Sequence, residues 1–162
     1  MIIDKNIDNG KPFDWGKASL DYAKYRDIYP QEFYQKILDR KLCIKGQSIL
    51  DIGTGTGVIP RNMYQYGAKW TGTDISENQI EQAKKLSKDM DIEYYAVATE
   101  NIDFSEDSFD VITACQCFFI LTMKKLCQSF TAYLNKTEES LFYIWRGYHL
   151  RIRLQEPVKS LC

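Results

Sequence analysis

The stretch SILDIGTGTG, residues 48–57, constrains this chain more than any other. An apolar run, Ile49 to Ile52, ends in a turn with glycine at positions 53, 55 and 57 and an acid, Asp51, set inside the run. Glycines so placed accept positive φ angles and leave the backbone bare, so a ligand can approach it without meeting a Cβ. If a helix follows, its first N–H groups are unpaired and face the same space. A strand, a bare turn and a helix form the opening unit of a parallel α/β sheet, in which ligands lie beyond the carboxyl ends of the strands.

The rest of the chain keeps that alternation. PQEFYQKILDRKL places Phe33, Ile37 and Leu38 on one helical face, and Gly46 precedes the glycine-turn strand. VIPRNMYQYG reads as a short helix stopped at Gly67, and AKWTGTDI as a second strand. SENQIEQAKKLSKDM opens with Ser76 and Gln79 at capping-box spacing, each expected to satisfy a backbone N–H of the other; Ile80, Ala83 and either Leu86 or Met90 form the buried stripe. IEYYAVA is a third strand. SFDVITACQCFF is a fourth, whose nearly unbroken apolar run suits burial on both faces. The expected fold class is α/β, a Rossmann-like, doubly wound, mostly parallel sheet with helices on both faces. One domain is expected, because 162 residues are too few for two comfortable cores.

Composition narrows the partners. Lys and Arg number 21 against 22 Asp and Glu, so no overall basic footprint points to nucleic acid or an anionic membrane. No apolar stretch approaches the roughly 20 residues that span a bilayer, and the first residues lack the charged head and apolar run of a secretory signal. A cytoplasmic setting and a small-molecule partner are expected. The five cysteines, Cys43, Cys115, Cys117, Cys127 and Cys162, lack paired C-x-x-C spacing, so they read as free thiols and no metal site is expected. His149, the one histidine, has no acid at a recognisable spacing and reads as structural.

Asp74 ends the second strand 17 residues after Gly57, where a carboxylate can accept both hydroxyls of a ribose. The turn reads D-x-G-x-G-x-G rather than the G-x-G-x-x-G of dinucleotide sites, and a carboxylate inside it would repel a pyrophosphate. Asp51 suits a cationic ligand instead, which disfavours an NAD-dependent oxidoreductase. A glycine-rich turn holding no ligand is the bland alternative.

At this point the sequence resembles the class I S-adenosylmethionine-dependent methyltransferases, particularly the small-molecule enzymes often called type 11. LDIGTGTG is similar to their first motif, TGTDIS to their second, and ATENIDFSEDSFDVITA to their third and fourth. The resemblance covers residues 48 to about 119. It implies that Asp51 and the backbone from Gly53 through Thr54 and Gly55 to Gly57 face the methionine end, that Asp74 binds the ribose and that Ile75 flanks the adenine. Where the family often has an acid or amide for the adenine amino group, this chain has Ala98 followed by Thr99 and Glu100, so the contact falls to the Thr99 backbone and its neighbour. Cys115 and Gln116, at the end of the fourth strand, would face the sulfonium and the methyl acceptor; Gln116 reads either as a functional group or as a plain strand-end polar residue.

FDWGKASLDYAKYRDIYP, residues 13–30, is similar to the YxxYRxxYP segment that precedes the core in many of these enzymes and closes over cofactor and acceptor. Arg26 could pair bidentately with the cofactor carboxylate. Tyr25 and Gln116 are the candidates for a catalytic role, and packing of a cap helix is the other reading of the tyrosines. The reaction implied is methyl transfer from S-adenosylmethionine to a small-molecule acceptor, with a catalytically inactive cofactor-binding remnant or regulatory module as the alternative.

Past Phe119 the family pattern stops. LFYIW is one possible strand of the tail, with no clear helical stripe after it. Back-translated codons read from their third base permit YFDHEK, NG and ILVLYM, with which the family would continue. The expectation is a cap and first helix over 1–45, a cofactor-binding core over 46–119, and an atypical tail over 120–162 with two readings, a native tail or one out of frame with the core that cuts the fold short. Such a tail would leave the fourth strand uncovered and open to self-association.

Overall fold

In a computed structural model, the structure describes residues 29–98 and 101–115 and the backbone of 141–145 and 148–152. Helix α1 is Gln31–Leu38, β1 Ser48–Ile52, α2 Val58–Met63 (continued by one tighter turn, Tyr64–Tyr66), β2 Lys69–Asp74, α3 Glu77–Leu86, β3 Ile92–Ala96, β4 Val111–Cys115, β5 Leu141–Trp145 and β6 Tyr148–Ile152.

The strands form one sheet in the order β3-β2-β1-β4-β5-β6. All neighbours are parallel except β5 and β6, which run antiparallel. The chain walks outward from β1 through β2 to β3 and then crosses back to place β4 on the other side of β1. The order therefore reverses at β1, and the glycine turn leaves the carboxyl end of that strand. Asp110 clips β4 to the start of β1: its carboxylate accepts from the Ser48 N–H at 2.7 Å, and its own N–H donates to the Ser48 carbonyl at 2.8 Å.

Strand alternation sorts the side chains. Ile49, Trp70 and Val111 lie side by side on one face and pack with Phe33, Tyr34 and Ile37 of α1 and with Ile59 and Met63 of α2. Farther along that face, Tyr94 packs with Ile80 and Ala83 of α3. Leu50, Ile52 and Ile112 point the other way and are fully buried as well, so the central strands are covered on both sides. Each such side chain contributes roughly 1.5–3 kcal/mol through burial, which is why strands in this position read as continuous apolar runs.

Two local expectations are corrected. Ser76 accepts from the Gln79 N–H, as a capping box requires, but the Ser76 N–H donates to Asp74 Oδ1 at 2.9 Å. With that donor taken, the Gln79 side chain is not needed as a reciprocal cap and is buried instead. Of the two residues given the last place in the stripe of α3, Leu86 is 42% exposed and Met90 is half-buried beyond the end of the helix, while Ser87 is buried. The hydroxyl of Ser87 meets that of Tyr94 at 3.0 Å, so a hydrogen bond decides the position that periodicity gave to an apolar residue.

The fourth strand is not left open. β5 pairs with it from Ile112↔Leu141 to Cys115↔Ile144, and the edges of the sheet are β3 and β6. LFYIW, read from sequence as a possible strand, is β5; the reversed strand β6 after it was not foreseen. The association surface expected along β4 is therefore paired within the chain. Among the described residues no helix is long and apolar enough to cross a membrane, and no group of His, Cys, Asp or Glu is arranged to hold a metal ion.

Candidate functional site

The site begins at the carboxyl end of β1. Gly53, Gly55 and Gly57 all take positive φ, at 61°, 58° and 76°, which only glycine adopts without strain. The turn is tied to β2 by two bonds: the Thr54 N–H donates to the Thr73 carbonyl at 2.9 Å, and the Gly55 N–H donates to Asp74 Oδ2 at 3.0 Å. Arg61 closes it from the helix side, its Nε donating to the Thr56 carbonyl at 3.2 Å.

Asp74 links the parts. One carboxylate oxygen accepts from Gly55 and the other from Ser76, at the N-cap of α3. Burial pushes its carboxyl above the ordinary value, and the backbone N–H groups of Ser76, Gly55 and Ile75 oppose that rise. A carboxylate offers about four acceptor directions, so with these backbone N–H groups bound Asp74 still keeps acceptor capacity for a ligand's hydroxyl. Beside it Ile75 is 77% exposed, an apolar side chain left in the open at the mouth of the site.

Asp51 is placed differently. It is buried inside the sheet, where its carboxylate accepts from the Thr113 hydroxyl at 2.5 Å. Burial raises its carboxyl to about 6, with the hydroxyls of Thr113 and Thr54 drawing it down and the charge of Asp74 adding to the rise. A largely desolvated carboxylate just beneath the turn attracts a cation over a longer range than one in water. Cys115, half-buried, ends β4 on the same face as Asp51 and Thr113.

The three glycines are not equivalent. A Cβ built on Gly55 meets only Gln79 Oε1, at 3.9 Å, so the turn there borders open space. A Cβ on Gly57 would run into the Tyr94 hydroxyl and lie 2.9 Å from Tyr94 Cζ. The space at Gly57 is thus filled by protein, and the side of the turn free for a ligand is that of Gly55. Sequence reasoning missed four contributors: Thr113, Gln79, Tyr94 and Gly72. Only Gly72 left a signal, since glycine within a strand marks a close approach; the others needed partners brought from distant segments.

Of the residues expected at the site, Asp51, Gly53, Thr54, Gly55, Gly57, Asp74, Ile75 and Cys115 gather at the carboxyl ends of β1, β2 and β4. Thr99, Glu100, Gln116, Tyr25 and Arg26 lie outside the described residues. Tyr29, from the same aromatic segment as Tyr25, stacks on Phe33 with ring centroids 4.5 Å apart.

Residues 49–137, more than half of the chain, match the family model of a methyltransferase domain. The chain belongs to this family. Its motifs place it among the class I S-adenosylmethionine-dependent methyltransferases, whose methyl donor suits the residues present: a bare left-handed turn, a carboxylate held at its rim and a second one beneath it. Over 102 residues the chain is 34% identical to a Dictyostelium discoideum protein provisionally named a methyltransferase, covering 63% of this chain and 37% of that one. It is 31% identical to the ubiquinone biosynthesis O-methyltransferase of Neisseria meningitidis over 61% of this chain and 43% of the relative. The methyltransferase domain thus spans about two fifths of the length of these relatives. The solved structure of an S-adenosylmethionine-dependent methyltransferase from Aquifex aeolicus superposes with a TM-score of 0.62 at 20% identity, covering 76% of this chain and 69% of that one, a likeness of fold.

Proposed function

We propose that this methyltransferase domain binds S-adenosylmethionine across the carboxyl ends of β1 and β2 and transfers its methyl group to a small-molecule acceptor. The observation that carries the reading is the bond from the Gly55 N–H to Asp74 Oδ2. It joins the glycine turn and the second-strand acid, recognised independently in the sequence, into one ledge that is open at Gly55 and bordered by the exposed Ile75.

In this reading each residue has a physical task. Asp74 accepts the ribose hydroxyls, and Ile75 supplies an apolar surface for the adenine. Gly55 gives the room for the cofactor to lie against the backbone, and the buried Asp51 supplies negative potential toward a cationic methionine end. Thr99 and Glu100 border the adenine, Arg26 pairs with the cofactor carboxylate, and Cys115 and Gln116 face the transferred methyl, with Tyr25 and Gln116 as candidates for contact with the acceptor. The bound cofactor brings an activated methyl, so the chain's own work is alignment and exclusion of water. Residues 46–119 serve as the cofactor core, and residues 1–45 supply the cap segment and the first helix, which packs on the sheet. The near-neutral charge balance supports a small-molecule acceptor rather than nucleic acid or a membrane surface, and the cytoplasm is the setting that belongs to this reading.

Calorimetric titration with S-adenosylmethionine, S-adenosylhomocysteine and NAD tests the first step, and formation of S-adenosylhomocysteine in the presence of candidate acceptors tests the second. Binding of the first two but not of NAD is expected. Binding without turnover across an acceptor panel would favour a cofactor-binding module, and binding of NAD alone would overturn the reading.

A further inference from the structure

The geometry points to Tyr94, on the edge strand β3, as a positioning residue that holds the glycine turn in its ligand-accepting shape from behind. This deepens the reading of the turn as a cofactor site and rests on it.

Tyr94 pairs in register with Gly72 of β2. A Cβ on Gly72 would lie 2.7 Å from Tyr94 Cδ1, 2.8 Å from Cε1 and 3.0 Å from Thr54 Cγ2, so the ring lies flush on bare backbone, and Thr54 of the turn reaches the same spot. The far end of the ring abuts Gly57, the left-handed residue from which α2 starts. Its hydroxyl is secured by Ser87 Oγ at 3.0 Å, just past the end of α3, and the side chain is buried. One ring therefore touches the second strand, the turn and the cap of the third helix. It fills the space beside Gly57 that a side chain there would need, whereas the space beside Gly55 is open. Tyr94 is within electrostatic reach of both Asp51 and Arg61, the charged groups flanking the turn.

Gly72 does not need a positive φ, so adding a methyl there tests only the room beneath the ring. The experiment compares Tyr94→Leu, Tyr94→Phe, Gly72→Ala and Gly72→Ala with Tyr94→Leu, reading amide exchange at Gly55 and affinity for S-adenosylhomocysteine. Tyr94→Leu should speed Gly55 exchange at least tenfold, because the bond to Asp74 opens more often, while Ile49–Ile52 amides keep their protection; affinity should fall tenfold or more. Tyr94→Phe keeps the ring and should stay within about threefold. Gly72→Ala should disturb Gly55 as Tyr94→Leu does, and the double variant should recover part of the loss. Unchanged Gly55 exchange in a folded Tyr94→Leu chain overturns the proposal. Should that variant not fold, unchanged exchange in Gly72→Ala does so instead. Gly55 exchange is read without cofactor. Wild-type protein that binds no S-adenosylhomocysteine would thus refute the cofactor reading while leaving the positioning role to be decided by exchange.

Discussion

Replacing Asp51 with asparagine should remove a specific pH dependence of stability. The carboxyl of Asp51 is raised by burial from the ordinary value of 3.8 to about 6 in the folded chain, whereas in the unfolded chain it returns to the ordinary value. The folded state therefore holds its proton more tightly, and stability from this group is greatest below the unfolded value and is lost as pH rises through about 6. The interval between the two values corresponds to about 3 kcal/mol at about 1.4 kcal/mol per pH step. Asparagine keeps the shape and an acceptor for the Thr113 hydroxyl but does not titrate. Urea unfolding of wild type and variant from pH 4 to 8 should show the difference between them growing up to about pH 6.5 and then levelling, a relative shift of about 1–3 M in the midpoint at a typical urea slope. The distant surface carboxylates titrate in both proteins and cancel in the difference, whereas Asp74, whose charge adds to the rise at Asp51, keeps a smaller coupled share of it. Parallel curves across the whole range would refute the assignment of a desolvated, proton-binding carboxylate beneath the turn.

Other substitutions test the site and the sheet. Asp74→Ala should weaken S-adenosylhomocysteine binding by roughly 1.5–3 kcal/mol, ten- to a hundredfold by calorimetry, in a chain that still folds; wild-type affinity would remove Asp74 from the ribose. Gly55→Val puts a branched side chain on a left-handed residue facing the open side of the turn, and cofactor binding should vanish from the titration. Ile49→Ala, at the centre of the apolar face, should cost about 2–5 kcal/mol in urea unfolding through transfer and cavity terms. Hydrogen exchange decides the standing of the tail. Amides of Leu141–Trp145, paired on both sides, should be protected like those of Ser48–Ile52, whereas rapid exchange would speak for a tail out of frame with the core.

Much of the fold could be read from local pattern. The four strands through β4, the short helix after the turn and the helix begun by Ser76 follow from apolar runs, periodicity and glycine stops, which act over a few residues and need no distant partner. The alternation of these elements carried the parallel sheet with its reversal at β1, and the turn and Asp74 were legible because chain connectivity places successive strand ends together.

What the sequence could not convey is which side chain takes each contested place. Gln79 had the spacing of a reciprocal cap, yet Asp74 reached the Ser76 N–H first and left Gln79 to be buried. Leu86 matched the helical stripe, but Ser87 is the residue drawn inward, toward a tyrosine hydroxyl from the neighbouring strand. Gly57 looked like the other glycines of the turn until Tyr94 was seen to fill the space it leaves. By itself the sequence determined the elements, their order and the turn that marks the site. Only the tertiary structure decided the pairing of Asp51 with Thr113, the backing of the turn by Tyr94 and the covering of β4 by β5. Each of these depends on groups far apart in the chain meeting within a few ångströms, and local spacing carries no record of that meeting.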